Sequence, residues 1–217
     1  MKSADLPIVL SRLRKAAKNW RIPVVAEISY QLDPFAVLVS CLLSLRTRDD
    51  LTKIAFEKLF DLASTPQKIL QLDPEIVANA IYPIAFYRNK TNSLYEICRT
   101  IINDHEGKVP ESLNELLKLK GVGRKTANLT LVLGYGKPGI CVDTHVHRIS
   151  NRWGYVKTDS PNTTEMILRK KLPKRYWMEY NSLLVSFGQN ICKPQSPYCS
   201  QCFIANYCRQ VGVKRSR

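Results

Sequence analysis

The feature that most constrains the fold of this chain is a repeated signal for the start of a helix. At four places an Asp, Ser or Thr stands directly before a proline: Asp33-Pro34, Thr65-Pro66, Asp73-Pro74 and Ser160-Pro161. This pair is typical of the first turn of an α-helix, because the polar oxygen caps free N–H groups and proline has no N–H to leave unpaired. The four positions therefore predict four separate helices.

The spacing of apolar residues is also helical. Near the N-terminus six of them recur at helical intervals and predict one apolar stripe: Leu6, Val9, Leu10, Leu13, Ala17 and Trp20. The segment "PFAVLVSCLLS", from Pro34 to Ser44, is apolar on all sides, which indicates a helix enclosed by others. No segment alternates convincingly with the period of two that a strand shows, and no Pro/Gly-rich linker separates domains. We predict an all-α protein with short connections.

The charge of the chain indicates a polyanionic partner. It has 33 Lys and Arg against 18 Asp and Glu, a net charge of +15. Nucleic acid is the usual partner of such a protein, because Lys and Arg neutralise its phosphates and release their condensed counterions into solution. A basic surface that serves only solubility is the alternative. The sequence shows neither a secretory signal nor an apolar span. We therefore expect an intracellular protein, in the cytoplasm or nucleoid of a prokaryote, that has no membrane partner.

Seven cysteines fall into two groups. Four lie in "CKPQSPYCSQCFIANYC" near the C-terminus: Cys192, Cys199, Cys202 and Cys208. They could form two disulfides, a zinc site or an iron-sulfur site, although a reducing interior disfavours disulfides. The other three, Cys41, Cys98 and Cys141, lie among apolar residues and are predicted to be small core side chains.

A glycine-containing turn joins two predicted helices in the middle of the chain. The apolar pattern that starts at Leu113 ends at Leu119, the turn "KGVG" follows, and a second helix begins at Arg124. Gly121 and Gly123 permit backbone angles closed to other residues and a close approach to another surface. The free amides of such a turn can bind a phosphate without reading a base. An ordinary helix-turn-helix corner is the alternative.

Three motifs follow one another in this order: "LKGVGRKTAN", "VDTHVHR" from Val142, and Cys-x6-Cys-x2-Cys-x5-Cys. Their order and separations resemble the endonuclease III branch of the helix-hairpin-helix DNA glycosylase superfamily. The resemblance extends from "LLSLRTRD" at Leu42 through "IAFYRNK" at Ile84 to the last cysteine. It implies a two-lobed all-α fold. A helical barrel over 27–137 would contain the hairpin, about residues 113–134, and a discontinuous domain of 1–26 plus 138–217 would carry the cysteine loop.

The resemblance implies that the four cysteines hold one [4Fe-4S] cluster. Zinc is the alternative, but zinc ligands usually come as two close pairs, and here only Cys199 and Cys202 form one. The cluster would order a loop that offers Lys193 and Arg209 to DNA phosphates.

The hairpin is expected to contact the same DNA backbone through Lys120, Gly121, Val122, Gly123 and Arg124. Family hairpins commonly carry proline where this chain has Lys120. The lysine makes the turn less rigid but adds a charge next to the phosphate, so we expect little harm.

By resemblance, Lys125 is the nucleophile and Asp143 is its acidic partner. An amine attacks the sugar only when it is deprotonated, and we expect burial beside Arg124 to favour the uncharged form. A carboxylate stabilises the positive charge that develops on the sugar. Each residue also has a structural alternative: Lys125 could contact a phosphate, and Asp143 could cap a helix.

Two further positions match those where the family inserts a plug and a wedge into the DNA, Arg46 and Phe86. Typical members carry glutamine in place of Arg46. The donor fork of arginine matches the O6 and N7 acceptors of guanine, which predicts a preference for lesions opposite guanine, and a phosphate contact is the alternative. Asp49 is expected to line the lesion pocket, and His145 to contact DNA near the lesion.

The implied function is a bifunctional DNA glycosylase and abasic-site lyase that excises oxidised pyrimidines in base excision repair. Its partner would be double-stranded DNA that contains damaged bases or abasic sites, and it would act as a monomer. Two alternatives stay open. One is a mismatch glycosylase that removes thymine or uracil opposite guanine, and the other is a non-catalytic module that only binds duplex DNA.

Overall fold

The computed structural model of the chain describes residues 1–20 and 33–217, and every regular element within them is a helix. The α-helices are α1 (Leu6–Ala17), α2 (Pro34–Ser44), α3 (Asp49–Leu62), α4 (Pro66–Gln71), α5 (Pro74–Ile81), α6 (Tyr87–Asp104), α7 (Leu113–Leu116), α8 (Arg124–Leu129), α9 (Thr144–Arg152), α10 (Pro161–Lys171) and α11 (Trp177–Asn190). A π-helical turn, Thr130–Gly134, continues α8, and three short 3-10 turns occupy Ser3–Asp5, Lys174–Tyr176 and Ala205–Tyr207. The all-α prediction is confirmed.

The four predicted helix starts are confirmed, each with a capping side chain. Asp33 accepts a hydrogen bond from the Phe35 N–H (3.0 Å), Thr65 from Lys68 (3.2 Å), Asp73 from Glu75 (2.7 Å) and Ser160 from Thr163 (3.2 Å). In all four cases the proline that follows the cap is the first residue of the helix. The caps satisfy N–H groups that a helix cannot bond internally.

The chain divides into two compact units, Val24–Gly139 and Met1–Pro23 with Ile140–Arg217. The first predicted boundary, at residues 26 and 27, falls in 21–32, which lie outside the described residues. The predicted limits of the two domains therefore stay a prediction. None of the helices in the described residues is long and apolar enough to cross a bilayer.

The unit Val24–Gly139 is built around α2. Every residue from Phe35 to Leu43 is buried, as predicted for a helix apolar on all sides. Helices α3, α6 and α8 and the π-helical turn pack on it. At Gly134 a Cβ atom would lie 2.7 Å from the Pro34 Cα, so this glycine lets the π-helical turn approach the start of α2.

The unit Met1–Pro23 with Ile140–Arg217 is built around α11, on which α1 and α9 pack. The predicted stripe of α1 is confirmed: Leu6, Val9, Leu10 and Leu13 are buried, and Ala17 and Trp20 pack against the same core. The large side chains of Trp153 and Phe187 fill the centre of this core. The two ends of the chain thus form one core.

Candidate active site

The hairpin turn lies between α7 and α8. The first helix ends at Leu116, so the prediction that it reaches Leu119 was wrong. Beyond Leu116 the chain continues in tighter turns, in which the Lys118 N–H donates to Glu115 (3.0 Å) and the Leu119 N–H to Leu116 (3.2 Å). Such i to i+3 bonds satisfy the last carbonyl groups of a helix in a shorter length of chain.

The turn itself exposes its backbone and buries one side chain. Val122 is buried in the core, and its N–H donates to the Leu119 carbonyl, so this amide is occupied. Gly121 has φ = 75°, which favours glycine, and a Cβ atom at Gly123 would meet nothing within 4 Å. The backbone at Gly123 is therefore open to a large partner. The ammonium group of Lys120 forms an exposed ion pair with Glu96.

Lys125 is the second residue of α8 and is exposed. The expectation of a buried amine was therefore wrong, because the first turn of α8 presents this position to solvent while Thr126 and Ala127 face the core. The preceding Arg124 is half-buried, and its carbonyl accepts a hydrogen bond from the side-chain Nδ2 of Asn128 (2.9 Å). Lys125 also acts electrostatically on Cys41 of α2: burial raises the pKa of that thiol to about 12, and the charge of Lys125 opposes the shift.

The structure brings Arg46 and Phe86 together. The Arg46 guanidinium lies 5.7 Å from the centre of the Phe86 ring, which is 58% exposed. Both residues have left-handed backbones, with φ of 54° for Arg46 and 58° for Phe86. This conformation strains residues other than glycine and is concentrated at functional sites. Asp49 is exposed at the first residue of α3, three positions after Arg46.

Asp143 is the cap of α9. Its Oδ1 atom accepts a hydrogen bond from the Val146 N–H at 2.8 Å, so the structural alternative for this residue is realised. A carboxylate has about four acceptor positions and a full charge, so one capping hydrogen bond leaves other acceptor positions and the charge available for a second role. His145, two residues on, lies 3.1 Å from the Arg148 guanidinium through Nδ1. A Cβ atom at Gly188 of α11 would lie 2.3 Å from the same nitrogen, so this ring packs directly on the α11 backbone.

The four C-terminal cysteines line one cavity, of about 360 Å³ when the part open to solvent is counted. None of these four cysteines forms a disulfide, and the other three lie close enough to Cys202 to contribute, after burial, to its raised pKa. Burial raises the pKa of Cys202 to about 11, so a cation is required to hold it as a thiolate. Within 1–20 and 33–217 no three His, Cys, Asp or Glu side chains are placed to hold a single metal ion. The fit to a cluster therefore rests on the shared cavity and the soft thiol donors.

The loop that carries these cysteines also carries Lys193. Its side chain lies over the ring of Tyr198, 5.2 Å from the centre, and its carbonyl accepts a hydrogen bond from Arg152 (2.6 Å). The other cysteines, Cys41, Cys98 and Cys141, are buried at 0–2% exposure, which confirms the prediction that they are core side chains.

Sequence reasoning missed two buried cations. Arg152 donates to the carbonyls of Lys193 (2.6 Å) and Pro194 (2.6 Å) and contacts the Cys192 sulfur at 3.5 Å, so it supports the cysteine loop. Lys90 is 6% exposed and donates to the chain beside Arg46. The sequence gives only a weak signal for either, because a basic residue on a polar helix face is usually exposed.

The chain is similar in sequence and in fold to known DNA repair proteins. The sequence model of the HhH-GPD superfamily base excision DNA repair proteins matches residues 39–174. Endonuclease III of Thermotoga maritima is 50% identical over 178 residues, 82% of this chain and 84% of that protein. Endonuclease III of Bacillus subtilis is 38% identical over 186 residues, 85% of this chain and 84% of that one.

A solved structure described as a trapped endonuclease III–DNA covalent intermediate superposes with a TM-score of 0.86. It is 33% identical in sequence, and 97% of each chain is covered. The chain therefore belongs to the endonuclease III family of helix-hairpin-helix DNA glycosylases.

Proposed function

We propose that this protein excises oxidised pyrimidines from duplex DNA and then cuts the strand at the abasic site, with Lys125 as the nucleophile. DNA N-glycosylase and abasic-site lyase is the activity of the family. The assignment to Lys125 rests on one observation above the others. Lys125 is exposed in the first turn of the helix that follows a hairpin turn whose backbone at Gly123 is open to a large partner.

The chemistry needs a covalent bond between enzyme and sugar. The deprotonated Lys125 amine attacks C1′, the bond from C1′ to the base breaks, and the base leaves with the bonding electrons. The sugar ring opens to a Schiff base, which acidifies the proton on C2′. Loss of that proton expels the 3′ phosphate, so one amine accounts for both activities. The covalent DNA intermediate trapped for a relative supports this route.

Asp143 is the proposed acidic partner. Positive charge develops on the sugar as the base leaves, and a carboxylate stabilises that charge most strongly where water is excluded. The hydrogen bond from Val146 fixes the Asp143 side chain at the start of α9, which reduces the cost of reorganisation during the reaction.

Duplex DNA is the proposed partner. Relatives have been solved with DNA bound, and this chain carries a net charge of +15. The hairpin would contact one stretch of backbone through Lys120, Gly121, Gly123 and Arg124, while Val122, whose N–H donates to the Leu119 carbonyl, would anchor the turn to the core. Lys193 would contact the backbone from the cysteine loop. Arg46, Asp49, Phe86 and His145 are the proposed contacts with the extruded nucleotide and the gap that it leaves. A base in duplex DNA must leave the stack before the amine can reach its sugar.

Cys192, Cys199, Cys202 and Cys208 would hold a [4Fe-4S] cluster. When bound, it would supply a covalent tie among four points of a loop that has little regular structure of its own. Arg152 would steady the same loop through its two backbone carbonyl contacts. In this role the four cysteines act on DNA binding through the position of Lys193.

The test separates the two activities. Wild type, Lys125→Ala and Lys58→Ala are assayed on a duplex with thymine glycol for base release and for strand cleavage without added alkali. Lys58 is an exposed lysine on α3 and controls for the loss of one charge. We expect Lys125→Ala to lose both activities and Lys58→Ala to keep both. Cleavage by Lys125→Ala at the wild-type rate would refute the assignment.

A second candidate function is supported by Arg46. Its exposed guanidinium lies next to the wedge residue Phe86 and carries donors that suit guanine. A mismatch glycosylase would release thymine or uracil opposite guanine faster than thymine glycol. The same assay on duplexes with these bases, each opposite guanine and opposite adenine, distinguishes the two functions.

A further inference from the structure

Lys90 occupies an unusual place for a lysine. It lies in the first turn of α6, and only 6% of the residue is exposed. A fully buried ammonium group is costly unless each of its protons finds an acceptor.

All three ammonium protons of Lys90 have acceptors on one short segment. Nζ donates to the carbonyl of Leu43 (2.8 Å), the carbonyl of Leu45 (2.8 Å) and the hydroxyl of Thr47 (3.0 Å). The three acceptors fall on alternate residues around Arg46. None of them is a carboxylate, so the contacts fix a backbone path and form no ion pair.

The position suits a cation for a physical reason. Helix α2 ends at Ser44, and its last carbonyl groups carry the negative end of the helix dipole. Burial lowers the pKa of Lys90 to about 8, and the oxygens around Nζ favour the charged form. Lys90 therefore caps α2 from another helix.

The same residue is bonded to the wedge. The Lys90 N–H donates to the Phe86 carbonyl at 3.0 Å, the first hydrogen bond of α6 after the left-handed Phe86. Lys90 thus joins the two strained residues: its backbone bonds Phe86, and its side chain bonds the residues on both sides of Arg46. Strain at two positions persists only where the surroundings determine them.

We propose that Lys90 is a positioning residue for base extrusion, which holds the Arg46 turn at a fixed place relative to Phe86. This inference rests on the proposed roles of Arg46 and Phe86 at the gap in the DNA. Without the ammonium group, the segment from Leu43 to Thr47 loses three hydrogen bonds at once, and Arg46 is no longer held over the ring. The base would then leave the stack less readily, although the chemistry at the sugar would be intact.

The experiment compares a substrate that needs extrusion with one that does not. Lys90→Met, which keeps the length of the side chain, and Lys58→Met, which removes an exposed lysine of the same unit, are compared with wild type. Each is assayed on a duplex with thymine glycol opposite guanine and on a single-stranded oligonucleotide with an abasic site. A 2-aminopurine base next to the lesion reports extrusion by its fluorescence, and a thermal unfolding curve reports the fold.

We expect Lys90→Met to release the base from duplex about tenfold more slowly, with a weaker fluorescence change, since small misplacements cost factors of this size and more. Cleavage of the single strand should stay within about twofold of wild type, and Lys58→Met should match wild type on both substrates. Equal rates for Lys90→Met and wild type on duplex overturn the inference, and so does an equal loss on both substrates, which indicates general damage.

Thr47→Val keeps the experiment decisive if Lys90→Met does not fold. It removes one of the three acceptors and preserves the shape of the side chain. We expect the same selective loss on duplex to a smaller extent, and its absence overturns the inference. Wild type that is inactive on both substrates refutes the proposed function itself, which is a different outcome from an active wild type with unchanged variants.

Discussion

The two compact units both contain cysteines and a buried cation, but these residues serve different purposes in each unit. In Val24–Gly139, Cys41 and Cys98 are buried among apolar side chains, and a buried lysine supports the strained turn at Arg46. In the other unit, four cysteines share one cavity, and the buried Arg152 supports their loop. The first unit therefore holds the Arg46 turn through hydrogen bonds from a buried lysine, whereas we propose that the second holds its cysteine loop by thiol ligation as well as by hydrogen bonds from Arg152.

The largest difference between the units should appear when a cysteine is replaced. Cys202→Ser removes a proposed cluster ligand, so we expect loss of iron and of the visible absorbance, and a much lower unfolding temperature. Cys98→Ala changes an apolar core residue of the other unit and should keep its full iron content, at a cost of about 1 kcal/mol in stability. Iron analysis and thermal unfolding of both variants check this. Full iron content in Cys202→Ser would contradict the proposed ligand set.

Substitutions of Asp143 can separate its role as a helix cap from the effect of its negative charge. Asp143→Asn keeps a good capping side chain, so its unfolding temperature should equal that of wild type, while base release falls about 100-fold or more because the charge is lost. Asp143→Ala should lose about 1 kcal/mol of stability in addition. Single-turnover rates and unfolding curves make the comparison. An active Asp143→Asn would leave this residue with its structural role only.

The two glycines of the hairpin should respond differently to alanine. Gly123→Ala meets no atom within 4 Å, so the fold should be unaffected, while duplex affinity falls about tenfold because the added methyl group blocks a phosphate. Gly121→Ala must adopt φ = 75° and should cost about 1 kcal/mol of stability. Binding titrations and unfolding curves separate the two effects. Unchanged affinity in Gly123→Ala would argue against a backbone contact at this turn.

The smallest expected effect concerns the opposite base. Arg46→Gln should reduce the preference for lesions opposite guanine over adenine by about fivefold, within the range for one bidentate contact. Rates on the two duplexes measure the ratio. An unchanged ratio supports the alternative, in which Arg46 only contacts phosphate.

Much of the fold could be predicted because its signals are local. The four caps depend on residues next to one another in sequence, and the burial of α2 follows from its composition. The extent of α7 could not be predicted in this way, because its last turn is tightened by i to i+3 bonds and the apolar pattern does not distinguish these from a regular helix.

The sequence motifs predict the candidate site residues, but they do not predict the buried residues that support them. Lys125 and the cysteines lie in recognisable local patterns, but exposure of Lys125 depends on which face of α8 the core covers. Lys90 and Arg152 act on chain segments about 40 residues away. Such contacts are set by tertiary packing, which no short pattern in the sequence records.

The proposed mechanism requires that the Lys125 amine forms a covalent bond with DNA during the reaction. Borohydride added to the protein on an abasic duplex would reduce a Schiff base to a stable adduct, and mass spectrometry of the digested adduct would locate the modified residue. We expect an adduct on the peptide that contains Lys125 and no adduct with Lys125→Ala. An adduct of equal yield in that variant, or one on another lysine in wild type, would contradict it.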